Sequence, residues 1–205
     1  VALPTVVADD EPGPDVDLVR RAREDLWRRL PACFRRKPSE IASWFDPKAR
    51  AILDAAMAWD WGSPSLLICA PTDWAKSAAA ALVAIRLMAR GRESEHERWR
   101  GIHWQGVPEL MGAARQWPLG AGECPEVRRV SRCKLAILDD LGNEHDHGST
   151  LFEVTQARYQ RELPNIVTTG LSPRQLVDRY GECILRRLVQ RHGQMGTIID
   201  LTGAP

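Results

Sequence analysis

The sequence predicts an α/β fold, a parallel sheet with helices on both faces. Two observations predict it. Short apolar runs such as Ser65–Cys69, Cys133–Gly142 and Asn165–Gly170 read as strands buried on both sides. Segments of helical periodicity separate them, the alternation that builds a parallel sheet. At 205 residues the chain is long enough for one domain with a sizeable core.

Residues 1–17 lack periodicity and carry Asp9, Asp10, Glu11, Pro12, Gly13 and Pro14, which predicts a disordered tail. Residues 18–62 predict a helical extension. "LVRRAREDLWRRL" places Leu18, Ala22, Leu26 and Leu30 on one face before Pro31 stops it, and residues 46–61 form a second helix ended by Gly62-Ser63-Pro64. The arginines of the first helix read as a solvated face, with a DNA-contacting arm through Arg35, Arg36 and Lys37 as the alternative.

Residues 63–205 predict the α/β domain proper. Strand 65–69 leads to helix Lys76–Ala89, closed by Arg90-Gly91. Strand 101–105, helix 107–117 and a loop over 118–125 follow. Strand 133–142, helix 150–163 (stopped by Pro164), strand 165–170, a helical stretch over 172–191 and strand 196–201 complete the chain.

Net charge is +1, with 28 basic and 27 acidic side chains, so charge alone does not hold this chain to nucleic acid. Five cysteines are scattered without a C-x-x-C, which predicts a reduced, cytoplasmic protein. The longest apolar run, Ala78–Ala89, is interrupted by Arg86 and too short to span a bilayer, so no membrane partner is expected.

Ligands of such sheets bind beyond the carboxyl ends of the strands. After the first strand come Ala70-Pro71-Thr72-Asp73-Trp74-Ala75 and then Lys76-Ser77 at a helix start, the place of a phosphate-binding loop. After Leu135–Leu138 come Asp139-Asp140. A lysine for a β/γ-phosphate, a hydroxyl and a carboxylate for Mg²⁺, and a second carboxylate to polarise water make a nucleotide–magnesium site. Lys-Ser or an Asp pair alone is common; both in this order, about sixty residues apart in a β-α alternation, point to a P-loop. The loop departs from the glycine-rich pattern at Ala75, next to Lys76, where glycine lets backbone N–H groups approach phosphate. A positive φ there would cost an alanine on the order of 1 kcal/mol.

From about Leu30 to Leu201 the chain resembles the DnaC/IstB group of AAA+ ATPases, the bacterial helicase loaders and transposition helper ATPases. The motifs are "RLPACFRRK" as entry segment, "APTDWAKS" at Walker A, "LAILDDLGNE" at Walker B, "LPNIVTTGLS" leading to sensor 1, and "YGECILRRL". The resemblance implies a five-stranded parallel sheet, ATP and Mg²⁺ binding, head-to-tail homo-oligomers, and DNA, single-stranded or duplex, as partner beside a replicative helicase or a transposase. It makes Ala70, Pro71, Thr72, Asp73, Trp74, Ala75, Lys76 and Ser77 the nucleotide loop, and Ser77 and Asp139 the metal residues. Asp140 becomes the base-like carboxylate and Arg187 the arginine finger on a neighbour's nucleotide. Gly170 stands where the family's sensor asparagine holds the attacking water, and Cys183 replaces an arginine. Together with Ala75, these departures imply weak ATP binding and slow hydrolysis. Two functions follow: a DNA-associated ATPase that loads or recruits a helicase or transposase, and a non-hydrolysing module whose ATPase-like surface serves assembly.

The remaining features read more plainly. His145-Asp146-His147 lacks a third metal ligand nearby and reads as a polar loop. Trp59, Trp61, Trp99, Trp104 and Trp117 read as packing residues, with base stacking as the alternative. Trp74, at the loop tip, is expected to face the nucleotide or a partner. Arg128, Arg129 and Arg132 form a basic cluster, either a DNA contact or a solvated helix end.

Overall fold

The computed structural model describes residues 30–90, 101–144 and 149–203, together with Arg21, Glu24, Trp27 and Arg28. Its five strands are β1 (Leu66–Cys69), β2 (Ile102–Gly106), β3 (Leu135–Leu141), β4 (Asn165–Thr169) and β5 (Thr197–Asp200). They form one sheet in the order β2-β3-β4-β1-β5, parallel at every pairing. Among the described residues eight α-helices with given bounds surround it: α1 (Pro38–Ala42), α2 (Arg50–Ala58), α3 (Lys76–Arg90), α4 (Val107–Gln116), α5 (Pro125–Arg132), α6 (Ser149–Gln160), α7 (Pro173–Tyr180) and α8 (Glu182–Val189).

Alternate strand residues feed two separate cores, because side chains on a strand point to opposite faces. Leu66, Ile68, Leu135, Ile137 and Ile166 meet α3 on one face, under Ile41, Ile52, Ala56 and Trp59 of the N-terminal elements. Leu67, Cys69, Ala136, Leu138 and Val167 pack on the other face with Leu110, Val130, Val154, Leu176 and Leu188 from the later helices. The buried run Ala78–Ala81 gives α3 a smooth flank, so the helix that carries Lys76 and Ser77 lies close on the sheet.

Several boundaries differ from expectation for identifiable reasons. The helix expected over 46–61 is shorter, since Asp46 caps a 3₁₀ turn by accepting from Ala49 N at 3.2 Å, and the α-helix proper begins at Arg50. The 172–191 stretch is two helices, because Gly181 takes φ 84° between α7 and α8. α7 starts where Ser172 and Gln175 form a reciprocal capping box. Between the expected loop and β3, α5 is a short helix opened by Pro125 at its first turn. Of the first expected helix, Arg21, Glu24, Trp27 and Arg28 are helical and Leu30 is buried; Leu18, Ala22, Leu26 and the tail lie outside the described residues.

Arg158 of α6 is fully buried without a carboxylate partner among the described residues. It donates to Asn165 Oδ1 (2.5 Å), to the carbonyls of Val130 (2.6 Å), Cys133 (2.8 Å) and Pro164 (2.6 Å), and to Cys133 Sγ (3.2 Å). Burial pulls its pKa down, and these acceptors hold the charge in place of an acid. The guanidinium thereby fastens the end of α5 and the start of β4 to α6. Arg158→Met leaves those acceptors unpaired and is expected to cost about 3 kcal/mol or more, measured by urea denaturation.

Candidate functional site

β1 is hydrogen-bonded up to its last residue, with Leu201 N donating to Cys69 O at 2.8 Å, and Ala70 N continues to Thr169 O at 3.2 Å. The chain then turns through Ala70–Ala75 into α3. Two residues of this turn are left-handed, Asp73 at φ 66° and Ala75 at φ 54°. The alanine thus occupies the backbone region normally reserved for glycine, and Ala75 O accepts the first helical bond of α3 from Ala79 N at 2.9 Å. The strain is about 1 kcal/mol, small enough for the surrounding sheet and helix to impose.

The loop brings the predicted residues together. Ser77 Oγ donates to Asp139 Oδ1 at 2.7 Å, across 62 residues of sequence. The same oxygen accepts from Thr168 Oγ1 at 2.5 Å, and Thr168 Oγ1 accepts from Asp140 N at 3.1 Å. Lys76 is buried at the helix start, its Nζ donating to Pro71 O at 2.7 Å. Desolvation lowers the Lys76 pKa against the pull of Asp140, Asp139 and Asp73, while desolvation raises that of Asp139 against the hydrogen bonds from Thr168 and Ser77. Beneath them Cys69 is a buried thiol pushed up to about 12, chiefly by burial, and is therefore unreactive. All five cysteines are free thiols.

β3 ends irregularly: its register with β4 shifts between Leu138 and Leu141, and Asp140 sits at φ 58°. The bulge separates the two carboxylates, leaving Asp139 buried and Asp140 exposed. Ser77 and Asp139 are hard oxygen donors already side by side, a donor set that fits Mg²⁺. Among the described residues no group of three acidic, histidine or cysteine side chains could hold a metal alone, and His145-Asp146-His147 lies outside them.

One expected role is placed differently. Trp74 does not face outward from the loop; it is buried in the α3-side core, with Lys48 Nζ 5.3 Å from its ring centroid. An apolar ring this large gains more from the core beneath the loop than from water above it. Arg187 stands apart from the Lys76–Asp139 cluster on α8, its guanidinium 4.8 Å from the Phe152 ring centroid. Its Nε and Nη1 are buried without a hydrogen-bond partner. Gly170 is exposed after β4.

Two further residues shape the site, neither of them given a role by its motif. Thr168 orients Asp139, and its signal was the Thr168-Thr169 pair directly after Ile166-Val167 in a fully buried strand. Glu144, buried just past β3, accepts from Gly142 N at 2.9 Å and from the Tyr180 hydroxyl, and pairs with Arg179 at 3.5 Å. Arg179 also donates to Glu144 O at 2.5 Å. This clasp ties the segment after Asp139-Asp140 to the end of α7, directly before the helix carrying Arg187.

Because the folded protein holds the Asp139 proton more tightly than the unfolded chain does, Asp139 contributes stability at low pH. That stability is lost as pH rises above the ordinary value of 3.8 and through the raised folded one. Asp139→Asn keeps the Oδ1 acceptor and removes the desolvated charge. At pH 7 the nucleotide-free variant is expected to melt higher than the parent, with a flatter pH dependence; scanning calorimetry across pH checks both.

No protein-family profile matches the chain, and no curated protein does. Solved structures do. The crystal structure of DnaI aligns with a TM-score of 0.57 at 17% identity, over 86% of this chain and 93% of that one. The DnaC helicase loader aligns at 0.51 and 15%, over 74% and 86%. AMPPCP-bound DnaA from Aquifex aeolicus aligns at 0.50 and 16%, over 74% of this chain and 45% of that one. At these identities the likeness is one of fold, and with the β2-β3-β4-β1-β5 sheet and the loop between β1 and α3 it gives this chain a DnaC-like AAA+ P-loop fold.

Proposed function

We propose that the chain is an ATP-binding protein of the helicase-loader type, acting in DNA replication by recruiting or loading a replicative helicase, with slow hydrolysis. The observation that carries the reading is the Ser77–Asp139 hydrogen bond beside Lys76, at the mouth of a loop that keeps its left-handed turns without glycine. The AMPPCP in the DnaA structure and the likeness to the DnaC helicase loader support the same reading from the side of the fold.

In this reading backbone N–H groups of the loop and of the first turn of α3 receive the phosphates. Lys76 exchanges Pro71 O for a phosphate oxygen. Ser77 and Asp139 hold Mg²⁺, which would neutralise phosphate charge when bound. Asp140, exposed at the bulge, polarises the attacking water, and Gly170 has no side chain to orient it, which slows turnover. Arg187 serves as a finger towards a neighbouring subunit of a head-to-tail oligomer, moving off Phe152. DNA is the further partner, and a transposase in place of the helicase is the related alternative. The missing side chain at Gly170 also supports a second reading, a binding module that holds nucleotide without hydrolysing it.

Calorimetry with Mg²⁺ and ATP separates these. Binding in the micromolar range, weakened at least tenfold by Lys76→Ala, is expected; no binding at millimolar ATP in the parent protein refutes the nucleotide reading. Turnover at less than one per minute in the presence of binding is the expected hydrolysis result. Ala75→Gly adds a separable test. Its strain is present before nucleotide binds, so relieving it is expected to raise stability by about 1 kcal/mol or less without by itself changing affinity. A gain in ATP affinity would therefore report the Ala75 Cβ against phosphate.

A further inference from the structure

Glu144 is a buried acid, its side chain 1% exposed, and it has no part in the nucleotide chemistry proposed above. It stands just past a sharp reversal of the chain at the end of β3, where Asp140 is left-handed at φ 58° and Gly142 at φ 104°. Three hydrogen bonds hold that reversal. Asp140 N donates to Thr168 Oγ1 at 3.1 Å, Asn143 N to Asp140 O at 3.3 Å, and Gly142 N to Glu144 Oε2 at 2.9 Å.

A hydrogen bond fixes an amide only as firmly as its acceptor is itself fixed, and Glu144 is held from α7. Its Oε1 accepts from the Tyr180 hydroxyl and lies 3.5 Å from Arg179 Nη2, while Glu144 O accepts from the same Nη2 at 2.5 Å. Arg179 Nε donates in turn to the Tyr180 hydroxyl at 3.0 Å, and its guanidinium lies 5.4 Å from the Tyr180 ring centroid. Asp140 is exposed, so its direction is set by the backbone of the turn rather than by packing. Asp139 has separate supports, the hydroxyls of Ser77 and Thr168.

We propose that Glu144 is a positioning residue: anchored by Arg179 and Tyr180, it sets the turn that aims the Asp140 carboxylate, so the end of α7 governs that group. The water-polarising chemistry of Asp140 rests on the nucleotide reading; the control of its turn by Glu144 does not. A group that acts on water must be held within about 0.5 Å of its productive place by partners that are themselves locked. A buried carboxylate bound at both oxygens meets that need, whereas an exposed acceptor would let Gly142 and Asp140 relax together. Because Lys76, Ser77 and Asp139 do not lean on the clasp, loosening it separates turnover from binding.

The test compares Glu144→Gln and Tyr180→Phe with the parent protein. Glutamine keeps the shape of Glu144, but its amide N–H₂ must face either Gly142 N or Arg179, a donor in both cases. Phenylalanine keeps the Tyr180 ring without its hydroxyl, and it carries the comparison alone if Glu144→Gln does not fold. Three quantities are measured: amide exchange at Gly142 by NMR without nucleotide, ATP affinity with Mg²⁺ by calorimetry, and single-turnover ATP hydrolysis. In both variants Gly142 is expected to exchange about fivefold faster or more, with ATP affinity within about twofold of the parent and hydrolysis slowed about fivefold or more. Unchanged exchange at Gly142 overturns the proposal. So does faster exchange with unchanged hydrolysis, and so do equal losses of affinity and hydrolysis, which mark a general structural role. A parent protein that does not hydrolyse ATP refutes the chemistry assigned to Asp140. Exchange at Gly142 then decides the clasp by itself: faster exchange in the variants upholds the positioning, and unchanged exchange overturns it.

Discussion

Asp139 Oδ1 accepts hydrogen bonds from both Ser77 and Thr168, so one carboxylate oxygen ties the start of α3 to β3 and β4. The turn Ala70–Ala75, the bulge at Asp140 and the strand β4 are tied together by that oxygen. The arrangement is costly, because the carboxylate and the Lys76 ammonium are both desolvated and each is pushed towards its neutral form. Two hydroxyls and a backbone carbonyl hold the charges where a bound ligand would hold them better. A fold under no demand at this end of the sheet would fill the positions with apolar side chains, as it does one layer below.

The left-handed alanine belongs to the same account. A glycine-rich loop adopts this turn at little cost, whereas Ala75 adopts it between the buried Trp74 and the first hydrogen bond of α3. Lys76 and Ser77 must emerge in the first turn of α3, and Trp74 is sealed into the core one residue before Ala75. The buried indole braces the loop from beneath and thereby substitutes for the flexibility that glycine would supply. Conformation and the absence of a Cβ, which a glycine provides together, are separated here: the left-handed conformation is kept, and a methyl group is present.

Much of this was legible in the residues themselves. The strand at 66–69 is a continuous apolar run, those at 135–141 and 165–169 carry the apolar stretches Leu135–Leu138 and Ile166-Val167, and the pairing of Lys76-Ser77 with Asp139 followed from their places at two strand ends. Other features depend on contacts that no local pattern carries. α5 is short and rich in arginine, so its buried Val127 and Val130 gave too little periodicity to mark a helix. Trp74 was misplaced because its position in a loop said nothing of the core beneath. The Glu144–Tyr180–Arg179 clasp joins segments 36 residues apart and became visible only when α7 was packed against the end of β3. Arg158 gave no sequence signal either, since its partners are carbonyls that every residue possesses.

The central claim is that Ala70–Ser77 is a preformed phosphate cradle wired to Asp139 and Thr168. Hydrogen–deuterium exchange with and without Mg²⁺ and ATP tests it most directly, since backbone N–H groups are the groups said to bind. The account expects protection over residues 72–79, with a second change over 139–142, and neither in Lys76→Ala. Unchanged exchange across the loop at saturating ATP, or protection confined to another part of the chain, would contradict it.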